Sequence, residues 1–367
     1  MIPALDSIHW HSFLGRPPLP SAEPAALAAV AREPILITGA GGSIGSALAL
    51  KLGAAGARFF LLESSESNLF DLESAFSSSA PDRAPNFYLG SIADGPLLDE
   101  IFARHHPRIV FHAAAFKHVP LLEEHPLAAI ANNILATQSL VSVASAHGAR
   151  VILLSTDKAV APASLMGATK RAAEQIVLAS RGTVLRLANV LGSRGSVAEV
   201  FARQIAAGLP LTVTDPAARR YFLTTSEAID LLLTAAAEPN PSTLLIPDLH
   251  ATHYIADLAR FMARTLAPDR DISIEFTRPR AGDKETEALF SPSEIPHPTR
   301  AGGLIPIDSP ALPPGPLAHM LEELKTASES RDLPAALWIL RRMVPDYTPS
   351  PTIDSTLSAT EPPVHNA

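Results

Sequence analysis

From Ile35 onward, short β-rich runs and longer helical patterns alternate without a break, and that regularity restricts the fold more than any other feature. The β-rich runs are Ile35–Thr38, Arg58–Leu62, Asn86–Leu89, Ile109–His112, Val151–Ser155 and Thr183–Leu187. Between them lie helical patterns at Ser43–Leu52, Ser67–Phe76, Pro96–Arg104, Pro126–His147 and Leu165–Ala179. Strict alternation of this kind means βαβ units and a parallel sheet. Right-handed crossovers then give a Rossmann-type, doubly wound α/β fold, with ligands at the carboxyl ends of the strands.

The alternation also sets the domain boundaries. Residues 34–188 form the expected dinucleotide-binding domain. Residues 1–33 are a Pro- and Ala-rich lead-in with a short helix at Glu23–Ala31. After Asn189 the pattern loosens, so 189–347 reads as a smaller substrate lobe that returns one strand, Thr243–Pro247, to the main sheet. The segment 348–367 is rich in Pro, Ser and Thr, lacks periodicity and is expected to be disordered.

With 47% hydrophobic residues among 367, the chain can bury a sizeable core. A net charge of −8 argues against a nucleic-acid partner. The absence of cysteine excludes disulfides, thiolate metal sites and cysteine nucleophiles, and no metal site is expected. Met1–Trp10 has neither a basic start nor a continuous apolar run, and no stretch of about 18 apolar residues follows. The expectation is a cytoplasmic chain without an integral membrane segment.

The first strand runs into Thr38-Gly39-Ala40-Gly41-Gly42-Ser43-Ile44-Gly45, a glycine-rich turn that opens a helix. Gly39, Gly42 and Gly45 recur every third residue, where a tight turn, a close pyrophosphate and helix packing each exclude a Cβ. Gly41, Ser43 and Ile44 complete the phosphate-facing turn, and the exposed N–H groups of the helix start suit a pyrophosphate. Glu63, ending the second strand, would accept the adenosine ribose hydroxyls and repel a 2′-phosphate, which favours NAD over NADP. Ser91, after the third strand, and Ala113, after the fourth, are further cofactor candidates.

A second constellation follows the fifth strand. Ser155-Thr156-Asp157-Lys158 closes the apolar run Val151-Ile152-Leu153-Leu154 and delivers a hydroxyl, a carboxylate and an amine to one crevice. Met166 and Lys170 stand four apart on the next helix and share a face. Lys170 suits the nicotinamide ribose, but a thioether at 166 cannot take a proton.

These stretches, together with Ala114-Ala115-Phe116-Lys117-His118-Val119-Pro120, Asn132-Asn133, Asn189-Val190-Leu191-Gly192-Ser193, Arg220-Tyr221-Phe222 and Val344-Pro345-Asp346-Tyr347, resemble the extended short-chain dehydrogenase/reductase superfamily. More closely, they resemble its CapD-like polysaccharide-biosynthesis branch, the UDP-N-acetylglucosamine 4,6-dehydratases. The resemblance implies C4 oxidation, loss of water across C5–C6 and hydride return to C6, with Thr156, Asp157, Lys158 and Lys170 as the catalytic set. It further implies a UDP-sugar substrate held by Lys117, Asn133, Met166, Asn189, Arg220, Arg280 and Lys284, helix-breaking hydrogen bonds from Asn133 that shape the active site, and a homo-oligomer. Arg278, Pro279, Ala281 and Asp283 depart from the family's Gly-Leu-Arg-Pro-Gly-Glu-Lys pattern, which puts that loop's geometry in question. A UDP-sugar 4-epimerase and a non-catalytic NAD-binding protein are the alternatives. The epimerase needs no elimination pair, and the non-catalytic reading would leave Asp157 and Lys158 without a task.

Overall fold

The computed structural model describes residues 5–79, 85–238 and 242–358. Its helices are α1 (Trp10–Leu14), α2 (Pro24–Ala31), α3 (Ser43–Ala54), α4 (Glu66–Ser79), α5 (Gly95–His105), α6 (Val119–Glu124), α7 (Pro126–Ile130), α8 (Ala136–Ala146), α9 (Leu165–Ala179), α10 (Val197–Ala207), α11 (Thr225–Ala237), α12 (Ile255–Leu266), α13 (Pro314–Glu329), α14 (Leu333–Met343) and α15 (Pro351–Ser358). The six expected strands are β1 (Ile35–Thr38), β2 (Phe59–Glu63), β3 (Asn86–Leu89), β4 (Ile109–His112), β5 (Arg150–Thr156) and β6 (Thr183–Leu187). The second half adds β7 (Asn189–Val190), β8 (Leu211–Val213), β9 (Arg219–Arg220), β10 (Phe222–Leu223), β11 (Thr243–Pro247), β12 (His253–Tyr254), β13 (Ile274–Phe276), β14 (Ile295–Pro296) and β15 (Leu304–Asp308).

Nine strands form the main sheet in the order β14-β15-β11-β6-β5-β4-β1-β2-β3. From β3 to β11 every pairing is parallel; β15 and β14 extend the sheet antiparallel. The returning strand at Thr243–Pro247 is therefore present, beside β6. The chain is a doubly wound α/β protein. Its strand order reverses between β1 and β4, and the crevice at that switch point is where such sheets bind ligands.

Helix α9 is buried around most of its circumference, from Leu165 to Val177. Lys170 and Glu174 reach the sheet at β5, while α6, α7, α8 and α14 cover the other sides of the helix. Burying a helix on all sides also buries its charges, and Arg171 and Glu174 need partners there. Glu174 receives them from β6. Arg186, with no exposed surface, donates two hydrogen bonds to Glu174 and two to Glu294, all at 2.8 Å, and a fifth to the Leu289 carbonyl at 3.2 Å.

The pattern expected as one helix, Pro126–His147, is interrupted. Residues Ala131–Leu135 form a π-helical turn between α7 and α8, with Asn133 and Ile134 buried in it. Among the described residues, Pro126–Ala146 is long and apolar enough to cross a membrane by length and composition, and 50% of its most apolar window is buried inside the protein.

The lead-in segment packs against both cores, with Val30 of α2 buried in the main one. Trp10 and Leu14 enter a core made with Phe201, Leu211, Phe222, Leu258 and Met262. Arg16 donates to both oxygens of Glu227, at 2.6 and 3.0 Å, and α2 packs on α11. The expected disordered tail is corrected over 351–358. Ile353 and Leu357, four apart, are both buried in α15, because that spacing puts them on one face toward the core. Residues 359–367, the rest of that tail, lie outside the described residues.

Candidate active site

A cleft of about 940 Å³ opens at the carboxyl ends of the parallel strands. Gly39, Gly42, Ser43, Ile44 and Gly45 after β1 and Ala113 after β4 line one part, with Lys117 beyond them. Thr156 and Lys158 after β5, Met166 and Lys170 on α9, Asn189, Arg220 and Arg280 line the rest.

The glycine turn is held by close contacts. Gly39 has φ +65°, and a Cβ there would lie 2.6 Å from the Ala114 nitrogen. A Cβ on Gly45 would lie 2.3 Å from the Gly39 carbonyl oxygen. The N-terminus of α3 has no side-chain cap, so its leading N–H groups remain available to an anion in the cleft. This cradle fits a dinucleotide pyrophosphate. Glu63 is buried, and it accepts from the backbone N–H groups of Gly41 and Ser65, both at 2.9 Å. A carboxylate offers about four acceptor sites, so hydroxyls can still bind it. Gly41, Glu63 and Ser91 do not form the cleft walls; Ser91 instead accepts from the Ala93 N–H at 3.1 Å.

The β5 constellation is assembled, with an asymmetry invisible in the sequence. Asp157 is fully buried behind the cleft wall. Its Oδ1 accepts from Thr156 Oγ1 and Lys158 Nζ, each at 2.9 Å, whereas its buried Oδ2 accepts no hydrogen bond among the described residues. An unsatisfied buried acceptor costs on the order of 1–3 kcal/mol, a strain relieved when a proton or donor arrives. Lys158 faces the cleft and also donates to Asn189 Oδ1 at 2.9 Å.

Lys170 donates to the Leu154 carbonyl at 2.6 Å. Burial pushes its amine down to about 8, against the opposing charge of Glu174. His112 is hydrogen-bonded to Thr38 at 2.8 Å and to Thr137 at 2.9 Å, and burial, with the Lys170 charge, lowers it to about 3. The imidazole is thus a neutral strut between β1, β4 and α8. Because the folded pKa of Lys170 lies below the usual lysine value, its burial destabilises the fold fully below about pH 8 and progressively less as pH rises toward 10.5. If its charge serves the reaction, kcat/KM falls above about pH 8. A pH–rate profile checks this, and Lys170→Arg, which keeps its charge, is expected to remove that alkaline limb.

Two expected substrate contacts are placed elsewhere. Asn133 is buried in the π-helical turn. Its amide accepts from the Phe116 N–H at 2.9 Å and donates to the Phe116 carbonyl at 3.0 Å and Thr169 at 3.1 Å. The π turn aims this side chain at the loop after β4, so it clamps that loop instead of reaching the cleft. Lys284 points inward, donating to the Val160 carbonyl at 2.7 Å and pairing with Glu287 at 3.3 Å. Arg220 and Arg280 do line the cleft, as does Lys117, whose amine is lowered by burial against the opposing charge of Glu199.

Arg194 and Glu287 were not anticipated. Arg194 lies across the glycine turn: its N–H donates to Ser43 Oγ at 2.8 Å and its guanidinium to the Gly41 carbonyl at 3.2 Å and Asn68 at 2.9 Å. Lys117 donates to its carbonyl at 2.5 Å. A basic residue between Gly192 and Gly195 was the available signal.

The family described as "Polysaccharide biosynthesis protein" matches residues 35–307, which spans the sheet and the cleft. The chain belongs to that family. It is 37% identical over 273 residues to the probable polysaccharide biosynthesis protein EpsC of Bacillus subtilis, covering 71% of this chain and 45% of that protein. To the capsular polysaccharide biosynthesis protein CapD of Staphylococcus aureus it is 35% identical over 305 residues, covering 80% and 51%. The chain thus spans about half the length of these two relatives. A solved structure of Pen from Bacillus thuringiensis superposes with a TM-score of 0.69 at 26% identity, covering 76% of this chain and 88% of Pen.

Proposed function

We propose that this member of the polysaccharide biosynthesis family is an NAD-dependent nucleotide-sugar 4,6-dehydratase. In this reading UDP-N-acetylglucosamine becomes a UDP-4-keto-6-deoxy-N-acetylhexosamine. The observation that carries the reading is the Thr156–Asp157–Lys158 constellation at a cleft that Met166, a residue with no proton chemistry, also lines. An elimination needs an acid and a base on neighbouring carbons, and simple C4 oxidation or epimerisation does not. NAD, when bound, takes the C4 hydride of the hexose and gives it back at C6.

The residues do the remaining work. Lys170, a cation beside the cleft, orients the ribose hydroxyls and offsets negative charge at the C4 oxygen. Thr156, hydrogen-bonded to Asp157 at 2.9 Å, passes the C4 hydroxyl proton to that carboxylate as the hydride leaves. Lys158 removes the C5 proton, made acidic by the C4 ketone. The proton that leaves with the C6 hydroxyl as water comes from Asp157, which must turn away from Lys158 to deliver it. Arg220 and Arg280 meet the diphosphate, since guanidinium groups match phosphate oxygens in geometry and charge. Glu63 favours NAD over NADP.

Incubation with UDP-N-acetylglucosamine in deuterated water, followed by NMR of the sugar, tests the reading. A C6 methyl signal with deuterium at C5 and a C4 ketone or its hydrate is the expected result. Interconversion at C4 with C6 still hydroxylated would replace dehydration by epimerisation.

A further inference from the structure

A chain of alternating charges runs from the cleft wall inward, and the reaction scheme above leaves it partly unused. Asp157, Lys158, Glu287 and Lys284 follow one another, with nitrogen–oxygen separations of 2.9, 3.9 and 3.3 Å. Glu287 is buried, and its Oε2 makes no hydrogen bond among the described residues. A buried carboxylate so poorly solvated persists only through neighbouring positive charge. Its neighbours are the amine assigned to the C5 proton and a lysine that fastens the same segment to the Val160 carbonyl, two residues beyond Lys158.

The segment that carries Glu287 and Lys284 also carries Arg280, which lines the cleft. One short stretch of the second lobe therefore presents a cation to the cleft and a buried anion to the catalytic turn. We propose that Glu287 is a positioning residue for the reaction, which holds Lys158 in place and sets its proton affinity together with Asp157. The inference rests on the dehydratase reading for its role in turnover, though not for its test.

The groups facing Lys158 are few. Asp157 faces it from its own turn, Asn189 from β7, and Glu287 from the second lobe with Lys284 behind. Lys170 on α9, with Arg220 and Arg280, stands on the same cleft. Removing the Glu287 charge leaves Asp157 to offset these cations alone, so Lys158 should release its proton at lower pH. At about 4 Å, a lost unit charge is worth roughly 0.8 of a pH unit in a water-like dielectric, and more in a drier site.

The chain has six lysines (Lys51, Lys117, Lys158, Lys170, Lys284 and Lys325), so protein labelled with 13C at lysine Cε gives a spectrum simple enough to assign by substitution. The experiment titrates these signals in the wild type and in Glu287→Gln, without substrate. The expected result is a Lys158 midpoint lowered by roughly 0.8 of a pH unit or more, with Lys51 and Lys325 unmoved as controls for folding. A displaced midpoint is a change that a purely structural role would not produce. If Glu287→Gln does not fold, Glu287→Asp, which keeps the charge but withdraws it by one methylene, should give a smaller downward shift. An unmoved Lys158 in whichever variant folds overturns the proposal. A shifted Lys158 in a protein that never dehydrates UDP-N-acetylglucosamine sinks the dehydratase reading alone.

Discussion

Lys158→Met is expected to lower the rate of sugar dehydration by about 10²–10⁴-fold, the usual worth of a positioned acid or base. Lys158 is the member of the elimination pair that faces the cleft, and methionine matches its stem without offering a base. The same change leaves Asp157 with one hydrogen bond, from Thr156, so the acid loses its orientation along with the base. C4 oxidation relies on Lys170 and Thr156, so the near-ultraviolet absorbance of reduced nicotinamide should still appear when substrate is mixed with the loaded variant. C5 should take up no deuterium. Quantifying both in single-turnover mixing separates the two halves of the reaction. Undiminished turnover of UDP-N-acetylglucosamine by Lys158→Met would remove the reason for preferring elimination to epimerisation.

The second large effect is on stability. Arg186→Met is expected to cost about 3–5 kcal/mol, because it leaves two core carboxylates, Glu174 and Glu294, with only Arg171 between them. That is a large part of a typical folding free energy of roughly 5–15 kcal/mol. Urea unfolding at neutral pH would measure it. Burial by itself would raise both carboxyls, but the Arg186 hydrogen bonds and charge outweigh it and hold Glu294 down to about 2. A depressed carboxyl contributes stability above its unfolded pKa, near 4.5, and loses it as pH falls toward 2. In the variant the stranded carboxyls rise instead, so protonation relieves them. The gap between variant and wild type should therefore narrow as pH falls below neutral. Replacing Glu294 alone by glutamine in the Arg186→Met background should recover part of the loss, since Arg171 then pairs with the one remaining carboxylate, Glu174. A constant gap from pH 7 to about pH 4 would mean that the network is not held by charge.

How legible the molecule was in its sequence differs from residue to residue. The strands β1 to β6 could be read because apolar runs, helical periods and turns are local properties of the chain. The glycine turn could be read for the same reason: Gly39 and Gly45 answer to contacts within a few residues of themselves or with the adjacent strand end. Thr156, Asp157 and Lys158 are consecutive, so their meeting needs only the end of one strand.

The rest required distant segments to meet. Asn133 was a substrate candidate by resemblance, but a π-helical turn aims its amide at Phe116 and Thr169. Lys284 belongs to a cationic stretch and nevertheless turns inward, because Val160 and Glu287 wait for it there. Arg186 sits in an apolar strand with nothing nearby in sequence to mark it as the hub of a buried ionic network. Its two carboxylates come from residues 12 and 108 positions away.

The sequence by itself determined the doubly wound sheet, the phosphate-facing turn and the chemistry brought to the end of β5, because each is encoded by periodicity or by adjacent residues. Only the tertiary structure decided which of those groups face the cleft, which lie behind it, and which charges neutralise one another. Hydrogen bonds and ion pairs act over a few ångströms, and the chain alone does not say which residues the fold brings within that range.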